Sequence, residues 1–146
     1  MRPMRLAGIL LALVMTTTIA NATFYHQRSL YQRLGGRPAI VAVVNDFVGN
    51  VARDRRINGF FANTDIPRLK RLLVQQICAA SGGPCTYGGR SMREAHRGLG
   101  VRNRDFDALV QDLVISLNKF NVGQREQREL LGILGPLRRD VVQRSS

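Results

Sequence analysis

Ser91-Met92-Arg93-Glu94-Ala95-His96-Arg97-Gly98-Leu99-Gly100-Val101 is the stretch on which the reading of this 146-residue chain turns. Ser91 followed three residues later by Glu94 is a capping box, in which a hydroxyl and a carboxylate satisfy amide donors left free at a helix start. A short helix is therefore expected to begin there and to carry Met92, Ala95 and His96. Gly98 and Gly100 end it after little more than a turn. His96 is the only histidine in the helical part of the chain, because His26 lies in a polar stretch near the N-terminus. A lone histidine on a helix is by default a structural or surface residue. Its meaning depends on what the rest of the chain places around it.

Downstream, a long helix is expected from about Asn103, with Phe106, Leu109, Val110, Leu113, Val114 and Leu117 on its inner face. Asn121-Val122-Gly123 separates it from a final helix striped by Leu130, Leu131, Leu134, Leu137 and Val141. Pro136 inside that stripe predicts a kink or a lost turn, since its ring removes a donor and crowds the preceding turn. Upstream, a polar loop runs from the breaker cluster Gly82-Gly83-Pro84 through Gly88-Gly89. Before it, Leu69, Leu72, Leu73 and Ile77 give one buried stripe to a helix opened by Pro67 and capped from Asn63-Thr64-Asp65. Ile57, Phe60 and Phe61 form a compact apolar cluster. Ile40, Val43, Val44, Phe47 and Val51 follow i, i+3, i+4, i+7, i+11 spacing on an earlier helix, whose opening turn suits Pro38 and which ends at the run Arg53 to Arg56. A short first helix from Ser29 to Leu34 stops at Gly35-Gly36. Strand-like alternation is hard to find, and the periods are helical throughout, so the fold class is all-α.

At the N-terminus, Arg2 and Arg5 precede an apolar run from Leu6 to Met15 that ends in Ala20-Asn21-Ala22, the layout of a secretory signal. The expected division is a signal over residues 1–22 and one domain over residues 23–146. Even extended to Ala20, the apolar segment falls short of the roughly 20 residues a membrane-spanning helix needs. Export, with the bacterial periplasm as destination, is the expectation, and an uncleaved N-terminal anchor is the alternative. Without Arg2 and Arg5 the formal charge falls from +12 to +10. Such a surface favours anionic partners, but the arginines are scattered and only Arg53, Arg55 and Arg56 cluster, so nucleic acid is not expected. Cys78 and Cys85 are the only cysteines. Two thiols with one nearby histidine are too few for a tetrahedral metal site, and in an oxidising compartment a disulfide between them is the simplest use.

Hydrolytic or transfer chemistry finds no support, because no phosphate loop, paired-histidine metal motif or nucleophile elbow is present. From Ser29 to Val142, however, the chain resembles the group 1 truncated haemoglobins. Ser29-Leu30-Tyr31-Gln32-Arg33-Leu34-Gly35-Gly36 resembles that family's opening helix and double glycine, and Asn58-Gly59-Phe60-Phe61 its paired haem-walling phenylalanines. Gly82-Gly83-Pro84, Tyr87 and Gly89 resemble the loop before the proximal helix, and Met92 to Val101 the segment bearing the proximal histidine, with Phe106 at the family's interval. The resemblance implies a two-over-two helical sandwich and haem b, with His96 as proximal ligand of the iron. It implies reversible binding of oxygen, nitric oxide or carbon monoxide, for oxygen transport or nitric oxide detoxification, rather than a dedicated enzyme. An unidentified electron donor would serve redox turnover. A non-catalytic basic module with a structural histidine is the alternative.

Haem iron with one open position needs a neutral imidazole and otherwise apolar walls. Phe47, Phe61, Leu69, Leu73, Met92, Val101, Phe106, Leu109, Val110 and Leu113 are the walls expected here, and Lys70 and Arg93 are the cations that would reach the propionates. One departure stands out. Family members commonly carry a tyrosine beside the matching phenylalanine of the second helix and a glutamine on the distal helix, and both bond the ligand. Here those positions are Val48 and Leu73, with Leu69 at the other distal site, so the distal pocket reads as apolar. Gln76, one turn beyond, is expected at the rim facing water, from where it could turn inward.

Overall fold

The computed structural model describes residues 28–144. The signal and export expectations, and His26, lie outside them. Seven α-helices follow in order: α1 (Leu30–Arg33), α2 (Gly36–Arg53), α3 (Ile66–Ala80), α4 (Met92–His96), α5 (Asn103–Lys119), α6 (Gln124–Leu134) and α7 (Arg138–Val141). Single 3₁₀ turns at Asn58–Phe61 and Gly135–Leu137 complete the order, and no strand occurs among the described residues. No described helix is long and apolar enough to cross a membrane.

Local chemistry accounts for most of the boundaries. Ser29 and Gln32 form a capping box on α1, and Ser91 with Glu94 forms the expected one on α4. Asp65 caps α3 by accepting from the Arg68 N–H at 3.0 Å. The expected effect of Pro136 appears as an end to α6 at Leu134, a 3₁₀ turn containing the proline, and a fresh start at Arg138. α2 opens two residues before Pro38, because Gly35 adopts φ 95° and turns the chain in a way that side-chain-bearing residues resist.

α2 is the hub. It packs against α3 on one side and α5 on the other, the main contacts of the two-over-two helical sandwich, while α1 meets α6 and α4 meets α7 at its periphery. Its stripe Ile40, Val43, Val44, Phe47, Val48 and Val51 is buried with Val74 and Ile77 of α3, Leu113 and Leu117 of α5, and Leu130 of α6. Val44 is wholly removed from solvent, and Leu117 and Leu130 keep 1% exposure each. A second, smaller cluster of Val101, Phe106 and Val141 lies where α5 and α7 meet the segment after α4.

The α2–α5 seam is polar on its outer edge. Asn50 donates to Ser116 Oγ at 2.9 Å, Ser116 donates to Asp46 Oδ2 at 2.8 Å, and Lys119 pairs with the same carboxylate. One group there is unmatched: Asp112, 4% exposed, has a buried Oδ2 without a partner. Burial pushes the Asp112 carboxyl above the usual carboxylate range, and the neighbouring Asp54 charge pushes the same way. Arg56 holds the neighbouring Asp54 below its ordinary value, which assigns the raised carboxyl of the two to Asp112. A carboxyl raised on folding contributes stability that is complete below the unfolded-chain range near pH 4 and is lost as pH rises through its folded value. Asp112→Asn imitates the protonated form. Urea unfolding should therefore show a shallower loss of stability for the variant than for wild type as pH rises above about 4; equal slopes would contradict this assignment.

Cys78 and Cys85 are joined in a disulfide with a Cα separation of 5.7 Å, the pairing expected from their count. Closing a loop this short contributes about 2 to 3 kcal/mol in the chain-entropy model. The turn is tight: a Cβ on Gly83 would stand 2.5 Å from the Tyr31 ring and 2.7 Å from Cys78 Sγ, so only glycine fits beside the bridge.

Candidate functional site

A cavity of about 690 Å³ opens between α3 and the α4–α5 segment, with α2 at its back. That is within the usual size of cofactor sites, which are concave, mainly apolar and furnished with a few placed polar groups. Val48 and Phe47 of α2 line it, as do Leu69, Leu73 and Gln76 of α3, Met92 and His96 of α4, and Val101, Phe106 and Leu109 beyond. Phe60 and Phe61 of the 3₁₀ turn close one end. The helical stripes deliver these residues together because a side chain four positions on lies one turn above on the same face.

His96 is half-buried in this wall, and its Nδ1 lies 2.7 Å from the Met92 carbonyl oxygen one turn back. A carbonyl only accepts, so Nδ1 carries the proton in this contact and Nε2 keeps its lone pair. α4 is too short to hold itself. It is gripped from outside, where Arg93 pairs with Asp140 at 2.8 Å and Gln143 donates to the His96 carbonyl at 2.6 Å. Gly98, at φ 81°, turns the chain immediately after the helix. Phe106 is fixed by the Arg138 guanidinium stacked 4.4 Å from its ring centre, with Arg138 in turn paired to Asp107.

The two cations expected at the propionates stand outside the cavity lining. Neither Lys70 nor Arg93 lines the cavity: Arg93 is engaged with Asp140, and Lys70 is one residue off the stripe set by Leu69 and Leu73. Arg68 and Arg90, both exposed, stand in the lining instead. Arg68 precedes Leu72 by four residues, a spacing that carries the signal. Arg90 belongs to an irregular loop and offers none. Gln76 also departs from its expected place at the rim, since it is a half-buried member of the wall and donates through Nε2 to Met92 Sδ at 3.6 Å. Val48, Leu69 and Leu73 present no donor, as their residue types require.

Comparison with known proteins agrees with this geometry. The family model for bacterial-like globins matches residues 29–143. A group 1 truncated hemoglobin of Mycolicibacterium paratuberculosis is 36% identical over 109 residues, 75% of this chain and 80% of that protein. Truncated hemoglobin from Tetrahymena pyriformis in its Fe(III) form superposes with a TM-score of 0.77 at 31% identity, covering 80% of this chain and all of that one. The 2/2 hemoglobin of a Synechococcus species, solved with covalently attached heme, gives 0.75 at 38% identity over 80% of this chain and all of that one. The fold and the pocket are those of a globin. The chain belongs to the bacterial-like globin family and is a group 1 truncated haemoglobin.

The cofactor of this family is haem b, and the residues present fit it. The macrocycle is apolar, carries two carboxylates on one edge and takes an imidazole at its metal. The cavity supplies mainly apolar walls, two arginines among its lining residues and one imidazole whose Nδ1 contact leaves Nε2 free.

Proposed function

We propose that this protein binds a diatomic gas reversibly at haem held by His96, and that nitric oxide turnover or gas sensing, rather than oxygen storage, is its use. One observation carries the reading: the mainly apolar wall contains a single imidazole whose Nδ1 is tied to a backbone carbonyl, leaving Nε2 to serve as proximal ligand. Haem supplies the gas-binding metal and one-electron redox chemistry.

The chain's own residues do the rest. The Met92 carbonyl keeps the proton at Nδ1 and the ring in one orientation. Phe47, Phe61, Val101 and Phe106 exclude water, and Arg68 and Arg90 are the groups for the carboxylate edge. Val48, Leu69 and Leu73 leave the ligand side without a side-chain donor, which weakens retention of a polar ligand such as oxygen more than that of carbon monoxide.

Redox turnover calls for an electron donor, and the surface favours an acidic one. Seven of the ten acidic side chains are held in ion pairs, Asp65 and Glu94 cap helices and Asp112 is buried, so most of the unpaired surface side-chain charges are basic. Export through the N-terminal segment, with the periplasm as destination, belongs to the same proposal. Titrating the reduced, haem-loaded protein with carbon monoxide tests the gas-binding reading. A saturable absorption change at one gas per chain is expected, and no change would reject it.

A further inference from the structure

The C-terminal half of α3 fastens the segment that delivers His96 at three successive points. Cys78 is bonded to Cys85, Gln75 Oε1 accepts from the Gly88 N–H at 3.2 Å, and Gln76 Nε2 donates to Met92 Sδ at 3.6 Å. The last point falls on the residue whose carbonyl bonds His96 Nδ1. We propose that Gln76 is a positioning residue for the proximal imidazole: through the Met92 side chain, the distal helix sets where the ring of His96 stands.

This rests on His96 being the proximal ligand, and three physical points support it. A glutamine amide facing an apolar cavity costs free energy unless it is bonded, so its place in the wall follows from a partner, and Met92 Sδ is that partner. Methionine has three freely rotating torsions and a thioether that is only a weak acceptor. Without the amide, Met92 has little to select one rotamer. α4 is five residues long, so its backbone lacks the ladder that would hold Met92 and His96 independently of their surroundings. α7 fixes the outer side of α4 through Arg93 and Gln143; Gln76 fixes the inner side. The imidazole is thus oriented between a distal and a C-terminal helix.

The test uses the ferrous, haem-loaded protein, with the iron–histidine stretching band in resonance Raman as one readout and haem transfer to excess apomyoglobin as the other. Gln76→Leu removes the amide, Gln76→Glu keeps the shape but is an acceptor only once ionised, and Met92→Leu removes the sulfur at nearly constant volume. Each is expected to shift or broaden the band and to speed haem loss about two- to tenfold, the scale of one hydrogen bond. The double variant Gln76→Leu, Met92→Leu should do no more than the larger single, because both remove one contact. An unmoved band in all three single variants, or additive effects in the double, would overturn the positioning role while leaving ligation by His96 intact. Absence of any iron–histidine band in wild type would overturn the ligation, and the positioning role with it.

Discussion

Val48→Tyr is expected to slow oxygen release by about ten- to a hundredfold. Val48 sits on α2 beside Phe47 and lines the cavity together with Leu69 and Leu73, and none of the three can donate a hydrogen bond to a ligand there. A tyrosine hydroxyl placed there adds one bond to a partly charged partner, about 1.5 to 3 kcal/mol. If that free energy appears wholly in the dissociation barrier, the factor above follows. The cavity gives the larger ring somewhere to go, whereas an enlargement at Val44, on the fully buried part of the same helix, would only overpack the core. Stopped-flow displacement of oxygen by carbon monoxide reads the rate directly. Fast release from wild type and slow release from Val48→Tyr are expected. Slow release from wild type, abolished by Gln76→Ala, would show that the Gln76 amide leaves Met92 and serves the ligand instead.

The features legible in the sequence are those governed by short-range rules. The Ser91–Glu94 capping box, the break at Pro136, the cap at Asp65 and the apolar stripe of α2 each depend on residues within a turn or two of one another. All stand in the structure where the spacing put them. The walls of the cavity follow from the same periodicity, since a stripe facing the core also faces any cavity within it.

Features less legible in the sequence depend on neighbours distant in the chain. Lys70 and Arg93 carry the right charge for a carboxylate, but Asp140, 47 residues on, occupies Arg93, and the helical phase turns Lys70 away from the Leu69 stripe. Arg90 lines the cavity only because the loop around it is fixed by the Cys78–Cys85 bridge and by the Gln75–Gly88 contact. Gln76 reads as a rim residue until Met92, 16 positions later, supplies an acceptor. Asp112 is buried where α2 packs over α5, and no local spacing signals it.

Replacing His96 should have the largest effect of all. The imidazole is the only one in the mainly apolar wall, so His96→Ala removes the proposed metal ligand while leaving the cavity's volume and hydrophobic lining in place. Loss of an outer-shell partner typically costs about 10- to 100-fold in metal-site affinity, and loss of the ligand itself is expected to exceed that. Some haem will still partition into the apolar cavity, but without the spectrum of histidine ligation. Added imidazole, small enough to enter the space left by the ring, should restore part of that spectrum. Cooperative unfolding of the apoprotein should change little, because His96 is half-buried and lies outside both hydrophobic clusters.

The most direct measurement is an absorption titration of haemin into the purified wild type and His96→Ala proteins. The expected result is uptake of one haem per chain by wild type with a sharp Soret band, and a weakened and displaced band in His96→Ala that partly recovers with imidazole. No uptake by wild type at stoichiometric haem, or an unchanged band in His96→Ala, would contradict the account.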